Sequence, residues 1–309
     1  MSKVPDLREI PELPDEIVQA GLNGDLVLFV GAGISMLLNL PSWGGLARQQ
    51  LEYLRKHGAL NYSELAQLSA LDARKQLSIA IQIAGDNKLS LDLTACFQGK
   101  SEGTSIYKSI NDIGCVCVTT NYDQLLEPRY TYVDDGSATP ATVNRIYARG
   151  NFVAAHLDTP GTVVHLHGAV SDQNTMVVST KDYLEHYDDP LVKEFLGDLF
   201  LRKTVLFIGY GLEEAEILEH ILRRGGVTDD AERKRFALQG YYLSQTPLYE
   251  NLHSYYRKSF GVHVIGFVRD HADYGQQETI FRDWAPKIVV KPPPLAADMK
   301  KINEVLGGA

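Results

Sequence analysis

Five apolar residues, Leu26-Val27-Leu28-Phe29-Val30, run without a break into Gly31-Ala32-Gly33-Ile34-Ser35. An unbroken apolar run of strand length implies burial on both faces, the position of a central strand in a parallel sheet covered by helices. A tight glycine turn that follows such a strand and opens a helix lets backbone amides face an anionic ligand. The G-x-G-x-x-G pattern is incomplete, because Met36 stands where the third glycine is required. The segment therefore predicts a nucleotide-binding turn and leaves its chemistry open.

Further continuous apolar runs at Cys115–Thr119, Thr162–Leu166, Met176–Ser179, Val205–Ile208, Gly240–Leu243 and Val262–Phe267 predict more buried strands. Helical spacing intervenes, as in Leu191, Phe195, Leu196 and Leu199, and in Ile217, Leu218, Ile221 and Leu222. Strands alternating with helices predict an α/β fold, a doubly wound, parallel, Rossmann-like sheet over residues 20–268. No strand-like run interrupts residues 44–113, whereas Ala47, Leu51 and Leu54, then Leu77, Ile81 and Ala84, mark helices. An inserted helical subdomain is the economical reading, since a structureless loop of that length is rare. Residues 128–161 read as a long loop with short strands, either a lid or surface elaboration. Residues 269–309 read as a helix and a Pro-rich tail available to another subunit or a partner.

The charge balance is 30 Lys and Arg against 39 Asp and Glu, a net −9, which disfavours membranes and nucleic acids as partners. Two basic clusters, Arg223-Arg224 and Arg233-Lys234-Arg235, read as a solvated face, with a nucleic-acid patch as the alternative. No run approaches the roughly 18–20 apolar residues of a membrane span. Three cysteines and no apolar leader at Met1-Ser-Lys-Val-Pro-Asp6 fit the reducing cytoplasm.

Polar residues cluster after the predicted strands, where α/β proteins place their sites. They are Gly31–Ser35, Thr119-Thr120-Asn121-Tyr122-Asp123, His165-Leu166-His167-Gly168 and Gly209-Tyr210-Gly211. Asn121 and Asp123 also suit a helix cap. His165 and His167 alternate with Leu166, which places both on one face of a strand, as structural histidines or as catalysts. Cys96, Cys115 and Cys117 contain no C-x-x-C pair, so no zinc site is expected.

Taken in order, Gly-Ala-Gly-Ile-Ser, Thr-Thr-Asn-Tyr-Asp, His-Gly and Gly-Tyr-Gly resemble the sirtuin family. Leu40-Pro-Ser-Trp-Gly-Gly-Leu46 and Leu206-Phe-Ile-Gly-Tyr-Gly-Leu212 are similar to the branch found in bacterial antiphage defence proteins. The resemblance implies NAD bound across the carboxyl edge of the sheet, with Gly31, Ala32, Gly33, Ile34 and Ser35 at its phosphates. It places Asn121 at the nicotinamide ribose, Asp123 at the carboxamide and His167 as the catalytic histidine. Gly209, Tyr210 and Gly211 fall at the adenosine-side ribose, with Gly211 in place of a hydroxyl residue usual in the family.

Departures from the family steer the expected chemistry. The two cysteine pairs of protein-deacylating sirtuins are absent, and Pro41 is followed by Ser42-Trp43-Gly44 where their first loop has Pro-Asp-Phe-Arg. Water is then the natural acceptor, and the resemblance implies an NAD+ hydrolase making ADP-ribose and nicotinamide. Such an enzyme needs restraint in its own cell, so assembly into a homo-oligomer or with a HerA-type ATPase is expected to gate it. Deacylation and a non-catalytic NAD-binding scaffold are the alternatives. A dehydrogenase wants the third glycine and an acidic residue about twenty positions on, where Glu52 lies in a predicted helix.

Overall fold

The computed structural model describes residues 6–97, 105–129, 145–224 and 234–291. In chain order the helices are α1 (Asp15–Leu22), α2 (Ala32–Met36), α3 (Trp43–Lys56), α4 (Tyr62–Leu68), α5 (Ala73–Asp86) and α6 (Ser105–Ile113). They continue with α7 (Thr180–Asp188), α8 (Pro190–Arg202), α9 (Ala215–Arg224), α10 (Thr246–Phe260) and α11 (Gln276–Trp284). The strands are β1 (Leu26–Val30), β2 (Val116–Thr119), β3 (Arg145–Ile146), β4 (Val163–His165), β5 (Thr204–Ile208), β6 (Arg235–Tyr241) and β7 (His263–Val268). They form one parallel sheet in the order β3-β4-β2-β1-β5-β6-β7. The α/β, doubly wound, Rossmann-like architecture expected from the sequence is the one observed.

β1 lies at the centre because all five of its side chains are buried. Val27 and Phe29 face one core with α7, α8 and α9, while Leu26, Leu28 and Val30 face another with α1, α6 and α11. Fully burying side chains of this type stabilises by roughly 1.5–3 kcal/mol each, before the loss of conformational entropy is set against it. From β1 the chain winds outward through β2 and β4, then returns to β5 on the other flank of β1. That reversal opens a crevice at the carboxyl ends of β1, β2 and β5.

Within residues 44–113, α3, α4 and α5 share a small core of Leu51, Leu54, Leu60, Ala80 and Ala84. Ser42, Asn61 and Asp72 cap the three helices through side-chain oxygens. Leu46, Ala47 and Leu77 join this unit to Tyr122, Met176 and Val178 beside the crevice. By contrast α6 packs on the sheet. So does α11, whose Trp284 donates Nε1–H to the Pro11 carbonyl at 3.0 Å.

Three local expectations differ from the structure. Met176–Ser179 is no strand: its segment is buried, but Val177 bonds to the His167 carbonyl and the Tyr122 hydroxyl, with no ladder beside it. β6 begins at Arg235, five positions before the expected start, and Arg235 is buried with hydrogen bonds to the Phe260 and Phe200 carbonyls. It is therefore no part of a solvated basic face; the side chains of Arg223, Arg224 and Arg233 lie outside the described residues. Of the 128–161 segment, Phe152 and Leu157 belong to the main core, and 130–144 lies outside the described residues, as does the tail from 292 onward.

Candidate active site

Two glycine turns meet at the crevice. Gly31 donates its amide to the Ile208 carbonyl at 2.9 Å, and Gly33 donates to the Gly209 carbonyl at 2.8 Å. A Cβ on Gly33 would sit 2.9 Å from the Gly209 Cα, and one on Gly209, where φ is +58°, would sit 2.6 Å from the Ile34 amide. The glycines thus let the turn after β1 lie directly on the turn after β5. Two amides expected to face a ligand are instead engaged in this contact. Ile34 is buried, and Tyr210 stacks on Phe207.

Ser35, Asn121 and Asp123 come together at the carboxyl ends of β1 and β2. Asn121 donates from Nδ2 to the Gly31 carbonyl at 3.0 Å and to Ser35 Oγ at 2.9 Å. Because a carbonyl can only accept, this fixes the amide orientation. Ser35 Oγ in turn donates to Asp123 Oδ2 at 2.6 Å, so the Tyr107 hydroxyl, 3.0 Å away, is the donor to Ser35. Thr119 Oγ1 supports the loop by accepting the Asn121 amide at 3.0 Å. One atom is left over: Asn121 Oδ1 is buried without a hydrogen-bond partner. Burial pushes the Asp123 carboxyl up, against the lowering effect of the Ser35 hydroxyl and the Leu125 amide.

His165 and His167 do not share an environment, because β4 ends at His165 and the chain turns at Leu166. His165 Nδ1 donates to the Asn121 carbonyl at 2.9 Å, and its Nε2 accepts from Arg145 at 3.2 Å. Arg145 can only donate, so the tautomer is fixed. Burial pushes His165 down to about 4, and it stays neutral. Arg145 also donates to the Gln124 and Leu126 carbonyls, so the pair clamps the Asn121–Leu126 loop.

His167 is fully buried among side chains the sequence did not single out. Its Nε2 is 2.8 Å from the Tyr187 hydroxyl and its Nδ1 is 3.4 Å from the Tyr183 hydroxyl. Burial, with lesser effects of His186 and Arg74, holds it well below the usual histidine range. Tyr187 donates onward to Glu214 at 3.4 Å. Burial, reinforced by the Glu216 carboxylate, pushes Glu214 up to about 7, although its side chain keeps 21% exposure. Arg74 of α5 pairs with Glu216 at 2.7 Å and lies 3.8 Å over the Tyr183 ring. Trp43 packs against both Tyr183 and Tyr122, linking the His167 group to the Asn121 loop.

Two cavities flank the turn after β1. A recess of about 20 Å³, lined by Ala32, Ser35, Trp43, Asn121 and Asp123, holds roughly one water. A cavity of about 720 Å³ opens beyond β5–β7, lined by Gly33, Gly209, Tyr210, Gly211, Gln239 and Tyr241 among others. The latter is within the range of roughly 300–1,000 Å³ typical of ligand pockets. Ala32 and Gly33 therefore divide the crevice into a closed end and an open end.

This fold and site define an α/β, Rossmann-like domain. A family model described as SIR2-like domain matches residues 116–265. Defense-associated sirtuin 2 of Bacillus subtilis is 27% identical over 222 residues, 67% of this chain and 20% of that protein. NAD(+) hydrolase ThsA of Enterococcus faecium is 28% identical over 205 residues, 64% of this chain and 39% of its own length. Its counterpart from Cytobacillus dafuensis is 24% identical over 218 residues, 68% of this chain and 40% of its own length. The chain thus spans about one fifth to two fifths of the relatives it matches.

Tyr107, Arg145, Tyr183, Tyr187 and Glu214 escaped the sequence reading. Glu214 alone carried a usable signal, an acidic residue just beyond the Gly209-Tyr-Gly211 strand end.

Proposed function

We propose that this domain cleaves the nicotinamide–ribose bond of NAD+ with water, releasing ADP-ribose and nicotinamide, as an effector of antiphage defence. The observation that carries this reading is the unpartnered Asn121 Oδ1, buried in a recess beside Asp123. An acceptor held rigidly by its own Nδ2 bonds suits a ribose hydroxyl, and the Asp123 carboxylate suits a carboxamide N–H. The names of the relatives support the same substrate and setting.

The leaving group makes a carboxylic acid pair unnecessary. As the C1′–N bond breaks, its electron pair neutralises the pyridinium, and nicotinamide departs without a proton. The site has to hold the ribose, accept an oxocarbenium-like transition state and take one proton from the attacking water. His167, held neutral, is the base in this scheme, an effect typically worth about 10²–10⁴-fold. The 720 Å³ cavity beyond β5–β7 accommodates the adenosine half, with Gly209, Tyr210 and Gly211 at its wall.

In the structure the recess is smaller than an aromatic ring, and His167 is sealed behind Tyr183 and Trp43. Catalysis therefore requires the α3–α5 unit to shift. Assembly, as a homo-oligomer or with a HerA-type ATPase, is the proposed trigger. The same burial of His167 favours a second reading, an NAD-binding subunit without turnover. Incubation with NAD+, at rising protein concentration and with an acetyl-lysine peptide, separates the readings. Peptide-independent nicotinamide release lost in Asn121→Ala and His167→Ala is expected; NAD+ binding without release would favour the second reading, and strict peptide dependence a deacylase.

A further inference from the structure

We propose that Glu214 is the proton reservoir of the site: acting through Tyr187, its carboxylate selects the tautomer of His167 that leaves Nδ1 free to accept a proton. The chain of atoms is continuous. His167 Nε2 lies 2.8 Å from Tyr187 Oη, which lies 3.4 Å from Glu214 Oε2, and Nε2 to Oε2 spans 3.9 Å.

Each hydroxyl has one proton, so the ends of the chain determine its direction. An ionised Glu214 only accepts, so Tyr187 donates to it and His167 must donate Nε2–H to Tyr187. The lone pair then sits on Nδ1, the nitrogen nearest Tyr183, whose ring packs on Trp43 at the wall of the Asn121 recess. A protonated Glu214 reverses the chain: it donates to Tyr187, Tyr187 donates to Nε2, and the histidine proton moves to Nδ1. That form has no lone pair on Nδ1, the nitrogen on the Tyr183 side.

Chain geometry favours this role over a purely structural one. Leu212, just ahead, is buried and held at φ +56°, an uncommon conformation for a bulky residue, and the turn carries Glu214 beneath Tyr187. During turnover the balance is simple. A water or ribose O–H proton goes to Nδ1, the Nε2 proton passes to Tyr187 Oη, and the Tyr187 proton passes to the Glu214 carboxylate. Glu214 acts through two intermediaries and is a positioning residue for His167. This catalytic consequence rests on the NAD-cleaving reading; the tautomer switch does not.

The groups facing Glu214 and its relay are Arg74 from α5, Tyr183, His186 and Tyr187 from α7, Glu216 and His220 from α9, His167, and Tyr210; burial pushes His186 down to about 4, away from neutrality. Of these, Glu214 is pushed up to about 7. Histidines also titrate near neutrality, so His220→Asn is the control.

The test is nitrogen-15 NMR of His167 in the full chain, followed from acid to alkaline pH. The expected result is a tautomer change near neutrality that survives His220→Asn and vanishes in Glu214→Gln and Tyr187→Phe, with all variants folded by circular dichroism. A tautomer independent of pH, or a change that persists in Glu214→Gln, overturns the proposal. In parallel, Glu214→Gln is expected to lower kcat for nicotinamide release at least about tenfold, to change KM little and to lose the acidic limb of the pH profile. Absence of turnover in the wild type, assembled as well as isolated, would refute the hydrolase reading and leave the NMR result to decide the relay by itself.

Discussion

The Ser35 hydroxyl donates a 2.6 Å hydrogen bond to Asp123 Oδ2, tying the turn after β1 to the loop after β2. The same oxygen accepts from Asn121 and from Tyr107, so one small side chain satisfies three buried partners. Ser35→Ala leaves all three short of a bond, and a buried group left unsatisfied costs about 1–3 kcal/mol. The expected outcome is a stability loss of that size by chemical denaturation, together with loss of nicotinamide release.

Asn121→Ala is expected to lower nicotinamide release by about 10²-fold or more, the scale seen when one fixed polar group is removed from a reacting centre. NAD+ binding should persist, because the larger cavity is untouched. Calorimetric titration beside product chromatography checks both halves.

At the turn contact, Gly33→Ala places a Cβ 2.8 Å from the Gly209 carbonyl oxygen, whereas Gly211→Ala meets only the Glu213 side chain at 3.4 Å. Backbone cannot retreat as a flexible carboxylate can, and overpacking costs typically about 1–3 kcal/mol. Thermal denaturation should show Gly33→Ala clearly destabilised and Gly211→Ala close to the parent.

Glu214 makes stability depend on pH. Its folded pKa of about 7 lies above the ordinary 4.5, so between these values the folded state binds more protons than the unfolded. Stability therefore falls as pH rises through that window and levels off above it. Across the window the fall is at most about 1.4 kcal/mol for each tenfold drop in proton concentration. Glu214→Gln should remove part of this slope, gaining on the wild type at pH values above the window relative to those below it, by melting temperature.

Arg74 holds the α3–α5 unit against α7 and α9, through its pair with Glu216 and its contact with Tyr183. Arg74→Ala should loosen this side and expose Trp43 more often. Trp284, the second tryptophan, is fully buried. Acrylamide quenching of tryptophan fluorescence should rise in the variant; unchanged quenching would show that Arg74 does not hold the unit closed.

Much of the sheet was legible because continuous apolarity reports burial on both faces, as in Leu26–Val30 and Val205–Ile208. The same signal misled at Met176–Ser179, whose burial comes from α3 and α5 instead of neighbouring strands. Arg235 hid the start of β6, since a charged residue in a central strand looks like surface until its carbonyl partners are seen. Ser35, Asn121 and Asp123 were legible as strand-end residues. The surroundings of His167 were not, because Arg74 arrives from α5, Tyr187 from α7 and Glu214 from the loop before α9, and no local spacing announces their meeting.

The contact between the turn of Gly31 and Gly33 and that of Gly209 bears on biosynthesis. β5 fills the place beside β1, yet it leaves the ribosome only after β2, β3 and β4. Until Gly209 and Glu214 emerge, a nascent chain holding Ser35 and Asn121 lacks one wall of the crevice and the far end of the His167 chain. Translation order alone thus leaves the Asn121 recess and the His167 chain incomplete until the segment after β5 has emerged.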